Sequence, residues 1–114
     1  MSNHRFNLPA SVAGGGSITL RELTVEDVFA IDSRVYASAK TDADLVIAGA
    51  NAARERQIAA VVARNDKPVT GSEKEEVYHK LGVKGVALLR AAYGKIHDVP
   101  EDELADFLAT RADA

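Results

Sequence analysis

Cysteine and tryptophan are both missing from this 114-residue chain, and each absence removes a class of function. Without a thiol there is no disulfide framework, no thiolate zinc site and no cysteine nucleophile. The aromatic residues are three Phe and three Tyr, too few to furnish the platforms of a carbohydrate cleft, so paired-carboxylate glycoside chemistry is not expected. No window reaches the eighteen or so consecutive apolar residues of a membrane span, and Met1–Ala13 lacks the apolar stretch of a secretory signal. A cytoplasmic protein is expected. An excess of positive charge is also lacking: 14 Lys and Arg stand against 17 Asp and Glu, and a net −3 offers phosphate backbones no general attraction.

Hydrophobic residues make up 46 % of the chain, and twenty of them are alanine. A core of Leu, Ile and Val among so many alanines suits closely packed helices. The length allows one domain, which buries about two-thirds of its unfolded surface without staples. The expectation is a mostly α fold: a flexible glycine-rich arm over residues 1–17, then a single helical domain over 18–114 with a short N-terminal β-strand and about five helices.

Local signals place these elements. Met1–Ser17 contains Pro9 and Gly14-Gly15-Gly16 and has no apolar period, as a flexible arm would. The glycine run lacks the Lys-Ser/Thr of a phosphate loop. Ile18-Thr19-Leu20-Arg21-Glu22-Leu23 alternates as a short edge strand. Thr24 followed by Glu26 and Asp27 opens a helix to about Ala39, with Val25, Val28, Phe29, Val35 and Tyr36 as its apolar face. Asp32 projects from the middle of that face. Thr41-Asp42 opens a second helix through Arg64, kept thin by Ala48, Gly49 and Ala52. A thin helix admits a close neighbour, from its own chain or from a second copy.

Asn65-Asp66-Lys67-Pro68 reads as a turn, and Val69-Thr70 as a short extended piece. Ser72-x-x-Glu75 has the capping-box pattern of a third helix, closed by Gly82 in the left-handed region. Val83–His97 forms a fourth, with Val86, Leu89, Tyr93 and Ile96 as its core stripe. Pro100 begins the last helix, in which Leu104, Phe107 and Leu108 form a buried stripe.

Chemistry is sparse. The histidines are His4, His79 and His97, and none pairs at i, i+4 with another ligand type on one helix face. His97 with Asp98 and Glu101 comes nearest to a metal set, but a histidine in the last turn of a helix is accounted for by the dipole. No Gly-x-Ser-x-Gly motif occurs. The chain is therefore not expected to be an enzyme, and no metal or cofactor is expected. Charge, however, is segregated. Val77–His97 carries Lys80, Lys84, Arg90 and Lys95 and no acid, a local +4 against −7 on the remainder. Lys84 and Lys95 lie eleven residues apart, three helical turns, with Leu88 and Ala91 between them.

Lys84, Leu88, Ala91 and Lys95 are accordingly a candidate docking patch for an acidic amphipathic helix, the plain alternative being an ordinary surface leucine. Asp32 either pairs internally with Arg54, Arg56 or Arg90, or is kept for a partner's cation, and it joins the candidates. A third possibility rests on Gly82 and Gly85. Helix-hairpin-helix DNA binders present backbone N–H groups to phosphate through a Gly-x-Gly hairpin, whereas here two residues separate the glycines.

From Ile18 onward the arrangement resembles the tail assembly chaperones and related small assembly proteins of tailed phages and prophages. The residues that carry the likeness are Ile18-Thr19-Leu20-Arg21-Glu22-Leu23-Thr24-Val25-Glu26-Asp27, the turn at Lys67-Pro68-Val69, Leu81-Gly82-Val83-Lys84-Gly85-Val86-Ala87-Leu88-Leu89-Arg90-Ala91-Ala92-Tyr93, and the closing helix with Phe107-Leu108. The resemblance implies a non-enzymatic helical protein, as a monomer or a homo-oligomer, that binds amphipathic helices in grooves between its own helices. Its cargo would be a long tape-measure protein kept soluble while the tail tube assembles. Two alternatives remain open: a structural subunit of a phage tail or adaptor, retained in the virion with its glycine arm ordered against a neighbour, and the helix-hairpin-helix nucleic-acid module.

Overall fold

His4, Phe6 and Leu8 alternate with Arg5 and Asn7, and this period of two makes the first segment a strand rather than an arm. The computed structural model describes residues 3–110. In it β1 (Asn3–Asn7) pairs antiparallel with β2 (Ser17–Arg21), setting Phe6 opposite Ile18 and His4 opposite Leu20. β2 is an inner strand, not the expected edge, because its other side pairs with β3 (Val61–Arg64). β4 (Lys67–Pro68) completes an antiparallel sheet in the order β1-β2-β3-β4. The register between β2 and β3 shifts after Thr19, so that Val61 and Ala63 face Leu20 and Thr19 with Val62 as the bulged residue.

The glycine-rich loop is ordered by the β3–β4 turn. Ala13, Gly14, Gly15 and Gly16 all take positive φ, and the loop closes through Leu8 N donating to Gly16 O at 2.8 Å. A Cβ on Gly16 would lie 1.9 Å from Asn65 Oδ1, so only glycine admits the turn at this distance. That oxygen accepts from Ser17 N at 3.0 Å and from Arg64 Nη1 at 2.8 Å, while Arg64 Nη2 donates to Ala13 O at 3.1 Å. Asn65 and Asp66 have φ of 52° and 64°, the type I′ geometry that matches the twist of a two-residue hairpin.

The helices α1 (Val25–Tyr36) and α2 (Asp42–Ala60) each begin with a reciprocal capping box, Thr24 with Asp27 and Thr41 with Asp44. The Arg21 guanidinium and the Thr24 backbone N–H hold the Asp27 carboxyl down at about 2, against an ordinary 3.8. A carboxyl depressed on folding adds stability above the unfolded value and loses it as pH falls through the folded one. Wild-type melting temperature should therefore drop between pH 3.8 and about 2 by more than that of Asp27→Asn, whose cap no longer titrates. Parallel acid melts of the two proteins check this.

The buried face of α1 is centred on Ile31, flanked by half-buried Val28 and Val35, whereas Val25 and Phe29 face solvent. Of the expected apolar face only Val28 and Val35 turn inward. α2 ends at Ala60 instead of Arg64, and the chain passes without a loop into β3. Val61 and Val62 are β-branched and gain more from pairing with β2 than from one further helical turn. The Lys74 amine caps this end of α2 by donating to Ala59 O at 2.8 Å, and its partial burial lowers its pKa. α1 packs on α2 where Ala48 and Ala52 are buried and where a Cβ on Gly49 would come within 3.2 Å of Tyr36 Oη. The thin second helix thus meets a neighbour from its own chain.

α3 (Glu73–Lys80) joins α4 (Gly82–His97) through Leu81, with Gly82 in the left-handed region at φ 73° as expected. The expected capping box at Ser72 is not formed: Ser72 makes no side-chain cap bond, and Glu73 accepts instead from Thr70. Leu81, Leu89 and Ala92 pack against Ile18, Leu20 and Val61 as the core, with Val86, Tyr93 and Ile96 partly buried around them. His97 closes the helix. Its Nε2 accepts from Leu23 N at 2.9 Å, so Nδ1 carries the proton and donates to Tyr93 O at 2.9 Å.

After Asp98–Pro100 comes α5 (Glu101–Ala109), every residue of which is exposed. Leu104, Phe107 and Leu108 therefore form an uncovered stripe where a buried one was expected. The Cα radius of gyration is 16.4 Å, against about 13 Å for a compact chain of this length. The fold is mostly α with one antiparallel sheet, and no helix among the described residues is long and apolar enough to cross a membrane.

Candidate functional site

Two elements that the sequence separates by some eighty residues enclose an apolar opening. One wall is the end of β1 and the residues after it, Phe6, Leu8 and Pro9. The other is α4, which contributes Leu88, Ala91 and Lys95 at the rim and Leu89 and Ala92 below. Ile18 and Leu81 form the floor. The enclosed volume is about 330 Å³, within the range of built binding sites. Gly85 lies on the inner face of α4, where an added Cβ would come within 2.7 Å of Leu81 Cβ and 3.3 Å of Val12 Cγ1. Its lack of a side chain lets the loop after β1 approach the helix.

Three of the candidate residues named from the sequence meet here. Leu88, 40 % exposed, stands at the rim with Ala91 and Lys95 on the same side of α4. Lys84, also exposed, lies three turns from Lys95 on the helix and beyond the groove itself. Lys84, Arg90 and Lys95 make no ion pair among the described residues. Of these cations only Lys95 borders the apolar channel, Lys84 lies one turn beyond Leu88 on the same face, and Arg90 points to the other side of α4.

Asp32 does not belong to this site. Its carboxylate is held by both nitrogens of the Arg56 fork, with Arg56 Nε donating to Oδ1 at 3.1 Å, and it ties α1 to α2. This hydrogen-bonded pair raises the guanidinium pKa of Arg56. The carboxylate is occupied, so Asp32 is an internal partner and not a contact for a foreign cation. Gly85 is likewise corrected. It sits within α4 and is buried, so the two glycines do not form a hairpin offering N–H groups to phosphate.

Sequence reasoning missed Phe6, Leu8 and Pro9. The signal was present in the alternation His4, Phe6, Leu8, but the neighbouring glycines dominated the reading of that segment. It also expected grooves between helices, whereas the opening lies between a strand and a helix. Among the described residues no three His, Asp or Glu side chains converge as a metal set. Comparison of the chain with protein-family models, with characterised proteins and with solved structures finds no match.

Proposed function

We propose that this protein is a non-enzymatic helix-binding protein that acts as an assembly chaperone, holding an amphipathic helix of a longer partner between β1 and α4. One observation carries the reading: an open apolar groove lies beside a basic helix that has no acids of its own. Helix-in-groove recognition needs an apolar channel for side chains spaced i, i+3, i+4, and a charged rim to select and orient the visitor. Leu88 supplies a half-exposed apolar anchor and Lys95 a cation at its edge. The likeness to tail assembly chaperones supplies the setting, in which the cargo is a tape-measure protein. A chaperone leaves before the particle matures, whereas a tail subunit remains in purified particles.

The test is a titration with a dye-labelled, acidic, amphipathic helical peptide, followed by fluorescence anisotropy. Saturable binding that weakens with added salt is expected. Lys84→Glu combined with Lys95→Glu should weaken it about fivefold, because exposed charge contacts contribute about 0.2–1 kcal/mol each. Absence of saturable binding, or binding indifferent to salt and to both substitutions, overturns the reading.

A further inference from the structure

The groove has a natural visitor in the chain's own last helix. α5 reads Glu101-Asp102-Glu103-Leu104-Ala105-Asp106-Phe107-Leu108-Ala109. Leu104, Phe107 and Leu108 fall on one face at i, i+3, i+4, and at 100° per residue Glu101 and Glu103 flank that face on opposite sides. All nine residues are exposed. Glu101, Asp102, Glu103 and Asp106 make no ion pair among the described residues, just as Lys84, Arg90 and Lys95 make none. The groove is apolar with Lys95 at its rim and Lys84 on the same helix face beyond it, and the α5 stripe is apolar with acids on both sides. Lengths agree as well: nine helical residues rise ~14 Å, and the part of α4 that lines the groove, Gly85 to Lys95, spans ~15 Å.

We infer that α5 of one copy lies in the groove between β1 and α4 of a second copy, and that the exchange is reciprocal, giving a closed two-fold dimer. This rests on the reading of the groove as a receptor for acidic amphipathic helices. The visitor is a second copy because of the connection between α4 and α5. Asp98 N donates to Gly94 O at 2.8 Å, ending α4, and the backbone then runs extended through Asp98 and Pro100. Val99 precedes a proline and is held out of the helical region, so α5 is carried away from its own α4. An isologous pair covers both stripes and both grooves at once, and leaves no unfilled end from which a filament would grow. Dimerisation and cargo capture then compete for the same channel.

Light scattering and sedimentation velocity on the full chain decide the matter. The mass should rise from 12.1 kDa to twice that value with concentration, and should fall back as salt is added. Phe107→Asp and Leu88→Asp should each give monomers with unaltered helicity, since both side chains are solvent-exposed. Mixing the two variants should give a weaker dimer held by a single exchange, the groove of Phe107→Asp receiving α5 of Leu88→Asp. A chain that stays monomeric, a dimer that survives both substitutions, or a mass that grows without a plateau overturns the inference. The functional reading is judged separately with Phe107→Asp, whose groove is intact and free of α5. If the full chain is monomeric while this variant captures the acidic peptide, only the dimer is lost; if it captures nothing, the chaperone reading is lost too.

Discussion

Leu20→Ala is expected to cost about 3–5 kcal/mol. Leu20 is fully buried on the inner strand of the sheet, between His4 on one side and Val61 on the other, and it faces Leu81 and Leu89 within the core. The core cluster around it draws on β2, β3, Leu81 and α4. The register shift beside it restricts how far the strands can close over the cavity, so the penalty falls toward the upper end of the leucine range. Domains of this size are stable by about 5–15 kcal/mol, and a loss of this magnitude lowers the melting temperature by about 10–20 °C. Thermal melts set beside Val46→Ala, whose side chain is 75 % exposed, measure it, with the surface variant expected to remain within about 0.5 kcal/mol of wild type. Equal losses in the two would mean that the packing described for β2 is wrong.

Leu88→Asp is expected to abolish capture of an acidic amphipathic helix while leaving the fold in place. Two effects add. Burying a leucine side chain contributes about 1.5–3 kcal/mol, and the incoming carboxylate must be desolvated beside the acids of the visitor. Binding should weaken by at least about a hundredfold in the anisotropy titration. The neighbour Leu89 is 1 % exposed and points into the core, so Leu89→Asp should unfold the protein where Leu88→Asp does not. If Leu88→Asp also unfolds it, the leucine is part of the core and the groove is not a receptor.

What could be read from the sequence was what local chemistry dictates. The Thr24 and Thr41 caps and the left-handed Gly82 each depend on residues within one turn of chain, and the structure has all three; of the turn expected over Asn65-Asp66-Lys67-Pro68 it keeps Asn65-Asp66, while Lys67–Pro68 pairs as β4. The groove rim at Leu88, Ala91 and Lys95 was visible because charge and exposure follow helical spacing. Long-range pairing was not visible. Val61–Val62 continues a helical pattern as well as a strand pattern, and only the unseen β2 beside it decides between them. Asp32 was recognisable as an inward-pointing carboxylate, but choosing Arg56 over Arg54 and Arg90 needs the crossing of α1 and α2. The stripe of α5 announces that a face needs a cover; amphipathicity alone does not say which surface provides it.

The clasp formed by Arg64 and Asn65 on the glycine loop has a mechanical consequence. α4 is bolted to the core by Leu89 and Ala92, while β1 is fastened through the ladder to β2, the Arg5–Asp66 pair and the grip on Ala13 and Gly16. The wall of the channel formed by β1 therefore takes part of its support from the tip of a hairpin two strands away. Damage at Asn65 would be felt as a loosened bite, far from any atom that a visiting helix touches.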